Sequence, residues 1–346
     1  MSALLWHCRA IVLPALLAAA PAGTCCAQDT VSLASPGSVR GRTRVAGEVR
    51  DFTGRELTLR TADGREVRYP SERVVDIETK RTPEQVAAEE ALAAGDTRAA
   101  LAHFKAAVAA EPRQWMRRKL LAQVVWCYRD LGEIPAAGKT FLVLVQSDPE
   151  TPDFAALPLC WEPREPDPQL IAAAADWLAR RESPVAMLLG ASCLLGTPQQ
   201  GSAVERLQSL ARTSDARIAG LAEAQLWRLR IATADPAEVA GWRARLERLP
   251  APLAAGPYYV LGLGLARHPE QASAAALAFL RVPILYPRER RLAAAALLRA
   301  ADVLKQAGEP AAARRLYEEL VAEHGASLAG REAQTRLEEL PRQPAG

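Results

Sequence analysis

A five-point pattern recurs along this chain at fixed offsets. Gly95 is followed by Ala100, Phe104, Ala107 and Pro112; Gly132 by Ala137, Phe141, Leu144 and Pro149; Gly308 by Ala313, Tyr317, Leu320 and Gly325. In all three, the positions lie 5, 9, 12 and 17 residues after the glycine. Glu270, Ala275, Phe279, Val282 and Pro287 keep the same offsets without the leading glycine. A repeat of this kind, about 35 residues long, constrains the fold more than any single motif, because each unit buries its apolar face only against its neighbours. The glycine suits a tight turn between two helices. The small alanine lets those helices approach, and the aromatic residue four positions on shares its face and fills the gap. The proline ends the second helix.

The pattern resembles the second half of a tetratricopeptide repeat. The first halves are less regular and run from Val86 to Ala94, Trp115 to Leu131, Pro257 to Arg267 and Arg288 to Ala307. Between Gln169 and Pro250 the units are degenerate: Ala203, Leu207 and Leu210 fit one, and Trp242 before Pro250 fits another poorly. Leu328 to Leu340, with Glu and Arg outside, suits a closing helix. The resemblance implies a mainly α chain, an α-α superhelix whose concave face binds a protein or peptide. Gln114, Arg118, Gln123, Tyr258 and Arg299, on first helices, are the candidate groove residues. The last third, with Leu285-Tyr286-Pro287, Gly308 and Arg315-Leu316-Tyr317, is similar to the repeats of periplasmic envelope proteins such as the Tol-Pal cell-division coordinator.

The amino-terminal residues differ in kind. Met1 to Ala27 have the form of a secretory signal, with Arg9 ahead of an apolar run from Ala10 to Ala20 that is too short to span a bilayer. Cleavage fits after Ala22 or after Ala27, the second being followed by a polar stretch. The chain is accordingly expected in the periplasm or at the cell envelope. Residues 28–43, with Ser35-Pro36-Gly37-Ser38, suggest a linker. Four short strands are expected within 44–80: Val45 to Arg50, Glu56 to Arg60, Arg65 to Tyr69 after the Asp63-Gly64 hairpin signal, and Val74 to Glu78. This string resembles SH3-like or Sm-like modules, which implies a small β-barrel or curled sheet. Such a unit is marginal alone and needs to dock on the helices C-terminal to it. The organisation expected after it is repeats over 83–147, a Pro-rich insertion over 148–168, degenerate helical repeats over 169–250, and repeats with a capping helix over 251–340.

The insertion contains Pro149, Pro152, Pro158, Pro163, Pro166 and Pro168, with Phe154 and Cys160-Trp161 among them. It is either a ledge over the concave surface, with Trp161 as a partner-binding anchor, or a connector whose aromatics fill a gap between units. Cys127, Cys160 and Cys193 remain after signal removal, spaced 33 and 33 apart. An odd number leaves at least one unpaired or bonded between chains. Metal ligands usually come in close pairs, so small buried residues on helices are the simpler reading.

Catalytic and cofactor signatures fail on spacing. Gly138-Lys139-Thr140 lacks the glycine a phosphate-binding loop needs at position 133, where Glu133 stands. Gly262-Leu263-Gly264 lacks a third glycine and a preceding strand. His103, His268 and His324 form no ligand spacing, so neither metal nor cofactor is expected. With 43 basic against 40 acidic residues there is no basic field for nucleic acid. The expectation is a non-catalytic scaffold or adaptor. Two alternatives stay open: an enzyme with a site between the β module and the insertion, using Asp153, Cys160 and Trp161, and a purely structural envelope link.

Overall fold

The computed structural model describes residues 28–35, 41–162 and 167–340. The expected signal segment, residues 1–27, lies outside the described residues, as do Pro163 and Pro166. The described chain is mainly helical, with a five-stranded antiparallel sheet at its start and fourteen α-helices after it.

The sheet consists of β1 (Asp29–Ala34), β2 (Arg42–Phe52), β3 (Glu56–Arg60), β4 (Glu66–Pro70) and β5 (Val74–Glu78), in the order β4-β3-β2-β1-β5. Its edge strands β4 and β5 do not pair, so it is a curled open sheet and not a barrel. The expectation of a linker over 28–43 is corrected here. Residues 29–34 form β1, which lies between β2 and β5. Their alternation explains why: Val31 and Leu33 are fully buried, and the Asp29 carboxylate accepts the Val49 N–H at 2.8 Å. The polar Ser35-Pro36-Gly37-Ser38 run carries the linker signal, and it masks the half-buried strand just before it.

The sheet does not enclose a core of its own. Val31, Leu33, Val49, Phe52, Leu57, Leu59 and Ile77 share one cluster with Ala88, Phe104, Trp115 and Leu120 from the first helices. Polar ties fix the docking. Arg118 bonds to the Asp51 carboxylate and donates to Phe52 O at 2.8 Å. Gly54 N–H donates to Asp148 Oδ2 at 2.9 Å, and Arg55 pairs with Glu150 at 2.7 Å.

Helical hairpins follow: α1 (Pro83–Ala93) with α2 (Thr97–Ala110), and α3 (Gln114–Leu131) with α4 (Ile134–Ser147). At the other end α10 (Ala255–Leu265) pairs with α11 (Ala272–Leu285), α12 (Arg290–Gln306) with α13 (Pro310–His324), and α14 (Leu328–Glu339) closes the array. Gly95, Gly132 and Gly308 stand at φ of 80°, 78° and 81°, the left-handed conformation that ends a helix without a Cβ penalty. Asp96 N–H reaches Ala91 O and Gly95 N–H reaches Leu92 O, satisfying two carbonyls that the helix leaves open. The alanine and aromatic positions of the repeat are buried in all four units. In the unit without the leading glycine, a 3-10 turn at Pro269–Gln271 makes the bend.

The middle is built differently. Helices α5 (Pro168–Ala179), α6 (Pro184–Leu194), α7 (Gln200–Leu210), α8 (Ala216–Trp227) and α9 (Pro236–Leu246) are short. Three start with Pro at the first position behind a capping Asp167, Ser183 or Asp235. Their core uses tryptophan, including Trp227 stacked on Trp242 with ring centroids 5.5 Å apart.

Candidate functional site: a filled inner channel and an outer cleft

The helical array turns until α12 meets α3. Arg129 of α3 pairs with Glu289 at the start of α12, both largely buried, and Arg290 lies 3.9 Å from Asp130. Arg288 bonds to Gln123, and the guanidiniums of Arg129 and Arg288 stand 4.2 and 5.0 Å from the centre of the Trp126 ring. Burial pushes the Asp130 carboxyl up to about 6 against the pull of Arg290 and Arg129.

The channel inside this turn is occupied by the chain itself. The insertion leaves α4, makes a 3-10 turn at Phe154–Ala156, and runs to Trp161 along the inner helices. Phe154, Leu157, Leu159, Cys160 and Trp161 are all buried. Arg129 donates to Ala155 O at 3.0 Å; Cys160 N–H donates to Ser192 Oγ of α6 at 3.3 Å; Arg228, just after α8, donates to Cys160 O at 2.8 Å. Trp161 lies against Gly256 of α10, where an added Cβ would fall 1.9 Å from the ring. The space left beside Trp126, Arg129 and Trp161 is about 60 Å³, room for water and little else. Of the two readings of the insertion, this geometry is the packed connector.

The six residues expected to bind a partner therefore have different surroundings. Arg118 is buried and holds the sheet. Trp161 is buried in the channel. Gln123 accepts from Arg288. Tyr258 is half-buried, with Tyr286 at 6.3 Å and Arg281 over its ring at 5.0 Å. Arg299 is exposed and lies 3.7 Å from Asp302, while Gln114 is exposed in the first turn of α3. None of the six bonds to another. Cys160, named in the enzymatic alternative, faces Cys193, whose thiol is raised well above the ordinary range by Cys160 and by burial, the reverse of what a nucleophile needs. Burial likewise raises the Asp153 carboxyl. Among the described residues there is no group of three metal-ligating side chains, and no helix is long and apolar enough to cross a membrane.

The large open site is on the outside, where the insertion interrupts the repeat. Helix α4 touches the middle at Gly138, where a Cβ would fall 2.4 Å from Trp177 of α5 and 2.8 Å from Leu189 of α6. The glycine of the Gly-Lys-Thr sequence is thus a packing residue, as is Gly262 against Phe279. Beyond Gly138 a cleft of about 1700 Å³ opens between the helices. Pro135, Lys139, Leu142, Val143 and Gln146 form a stripe at helical spacing along α4, and Ala173, Asp176 and Trp177 of α5 with Arg180 at its C-terminal cap form a facing one. Val143 is 50% exposed, high for an aliphatic side chain in such a wall. Arg217, paired with Asp215 and bonded to Pro149 O, closes one end. The half-exposed aliphatic stripe on α4 was the available sequence signal for this site. For the filled channel the signal was Phe154-Ala-Ala-Leu-Pro-Leu-Cys-Trp161, eight nonpolar residues in a row, which water does not solvate well.

The fold defines a helical-repeat protein of the α-α superhelical class with an amino-terminal sheet. Residues 295–327, which cover most of α12 and α13, match the family model of the tetratricopeptide repeat. Such repeats are in general scaffolds for protein interaction, offering extended helical surfaces. No curated protein and no solved structure matches the chain.

Proposed function

We propose that this chain is an exported, non-catalytic adaptor that binds a helical segment of a protein partner in the outer cleft between α4 and α5. One observation carries the reading: an aliphatic stripe on α4 faces Ala173 and Trp177 of α5 across a cleft of about 1700 Å³ with charged residues at its rim. That volume is roughly four turns of a helix about 10 Å across. An amphipathic helix laid in such a groove buries its apolar face between the walls. Lys139 on the α4 wall, and Asp176 paired with Arg180 on the α5 wall with Glu182 just beyond, offer both signs of charge to the rim. The inner channel is a poor rival site, because its own insertion fills it. Export rests on Met1 to Ala27, and the envelope assignment also on the likeness of the last repeats to periplasmic proteins.

Site-specific photo-crosslinking tests the reading. A photoreactive residue is placed at Val143, and in separate proteins at Gln123 and at Tyr258, in the native source. The proposal expects one partner joined through Val143 and none through the other two. It also expects Leu142→Ala with Val143→Glu to weaken binding of that partner roughly tenfold or more, since buried aliphatic contact is lost. Adducts from Gln123 or Tyr258 without any from Val143 would move the site to the inner face and overturn the cleft reading.

A further inference from the structure

The inner segment meets α6 sulfur to sulfur. Cys160 Sγ and Cys193 Sγ lie 3.0 Å apart, and both side chains are buried. The roughly 2.05 Å of a disulfide bond is within about 1 Å of this separation. Disulfides tolerate little backbone misfit, so a pair ready to oxidise needs both backbones held in register. That hold is present here. Cys160 N–H donates to Ser192 Oγ at 3.3 Å. One guanidinium nitrogen of Arg228 shares its two hydrogens among Cys160 O at 2.8 Å, Ser192 O at 2.9 Å and Gln225 Oε1 at 2.6 Å. These bonds align the residues on both sides independently of the sulfurs. Cys127 belongs to the other core, under the sheet with Trp115 and Leu120.

We infer that Cys160 and Cys193 form a disulfide that staples the inner segment to α6, while Cys127 stays a thiol. Each cysteine loses its S–H bond as the S–S bond forms. The two electrons and two protons pass to an external disulfide, either an oxidised dithiol protein or oxidised glutathione, which is reduced to two thiols. Exchange requires a thiolate, and the raised Cys193 thiol supplies little of it once buried. Oxidation therefore accompanies the seating of the segment, as the bonds of Arg228 and Ser192 bring the sulfurs together while water still reaches them, and the finished bond is shielded from reductants. The staple closes the stretch that contains α5 and fixes the occupant of the channel covalently. The inner channel cannot then be vacated for a partner.

Differential labelling tests the staple on the purified full chain. The protein is refolded in a mixture of reduced and oxidised glutathione, then treated in denaturant with iodoacetamide. It is next reduced, treated with N-ethylmaleimide and digested with trypsin. The peptides Thr140 to Arg164 and Glu182 to Arg206 carry Cys160 and Cys193 separately. The expected result is N-ethylmaleimide on both of these and iodoacetamide on Cys127. Without reduction, the two peptides appear as one species lighter than their sum by two hydrogens. In Cys160→Ser, Cys193 should switch to the first label. Iodoacetamide on both Cys160 and Cys193 of the refolded wild-type chain, or a linkage of either to Cys127, would overturn the inference.

Discussion

The terminal repeats and the middle of the molecule solve the same packing problem in opposite ways. At the ends, three of the four hairpins are locked by a short motif of a left-handed glycine, an alanine and an aromatic residue within ten residues, and the α10–α11 hairpin keeps the alanine and the aromatic residue behind a 3-10 turn. Between α5 and α9, no glycine has positive φ and no such motif recurs. There, order comes from a segment that arrives from outside the unit, runs through the channel and touches α3, α6, α8 and α10. A degenerate repeat thus persists where a long-range plug replaces local locks. The two regions should fail differently. Damage at an end should stay local, whereas damage to the plug should spread.

The largest effect tests that spread. Trp161→Ala removes the side chain seated against Gly256 and should cost about 3–5 kcal/mol by urea unfolding. Tyr317→Ala in the last repeat deletes a fully buried ring of similar bulk, together with its bond to Asp302, and should cost a comparable amount. Hydrogen exchange separates the two. Trp161→Ala should lower protection in α3, α6, α8 and α10 together, while Tyr317→Ala lowers it in α12 to α14 alone. Equal, local losses from both variants would show that the middle is held by its neighbours as the ends are.

This difference also explains what could be read from the sequence. The hairpins at both ends were legible because their determinants are local. Gly132, Ala137 and Phe141 each sit where their spacing placed them, and the expected mainly helical fold with a small sheet is the fold observed. The inner plug was not legible in position, since nothing in Phe154 to Trp161 encodes that Arg228 and Gly256, about 70 and 95 residues on, receive it. The groove candidates failed to converge for the same reason. Arg118 has the sequence setting of an exposed residue on a first helix, but the docked sheet buries it, and only the three-dimensional arrangement of Asp51 and Phe52 reveals that. Of the outer cleft only the aliphatic Leu142 and Val143 of α4 were legible, because the opening itself arises from a missing contact, the splay of α4 from α5 beyond Gly138.

An intermediate effect concerns the joint between the two ends of the array. Asp130 is pushed up to about 6 by burial, and it is faced by Arg290, Arg129, Arg288 and Glu289. A carboxyl raised in the folded state holds its proton more tightly there than in the unfolded chain. Its effect on stability therefore becomes more favourable as pH falls from about 6 towards 4, and that gain is lost as pH rises back through about 6. Asp130→Asn keeps the shape without the charge. At pH 7.5 it should be more stable than the wild type by about 2–3 kcal/mol, and the gap should close near pH 4. Glu111 and Asp215, which are lowered by Arg113 and Arg217, are common to both proteins and cancel in the difference. Parallel stability curves from pH 4 to 8 would mean that the joint opens enough to hydrate Asp130.

The smallest effect distinguishes the turns themselves. Gly308 and Gly132 share a φ near 80°, so each Gly→Ala substitution carries the same backbone penalty of about 1 kcal/mol. Their surroundings differ. A Cβ at Gly308 would meet nothing within 4 Å, whereas one at Gly132 would fall 2.1 Å from the Arg291 guanidinium, across the joint. Gly308→Ala should therefore show the bare turn cost in thermal or urea unfolding. Gly132→Ala should show that cost plus the displacement of Arg291 from the α3–α12 junction. The excess of the second over the first measures how firmly the two ends of the array are clasped. If the two substitutions cost the same, Arg291 swings aside freely, and the clasp rests on Arg129 with Glu289 and on the plug between them.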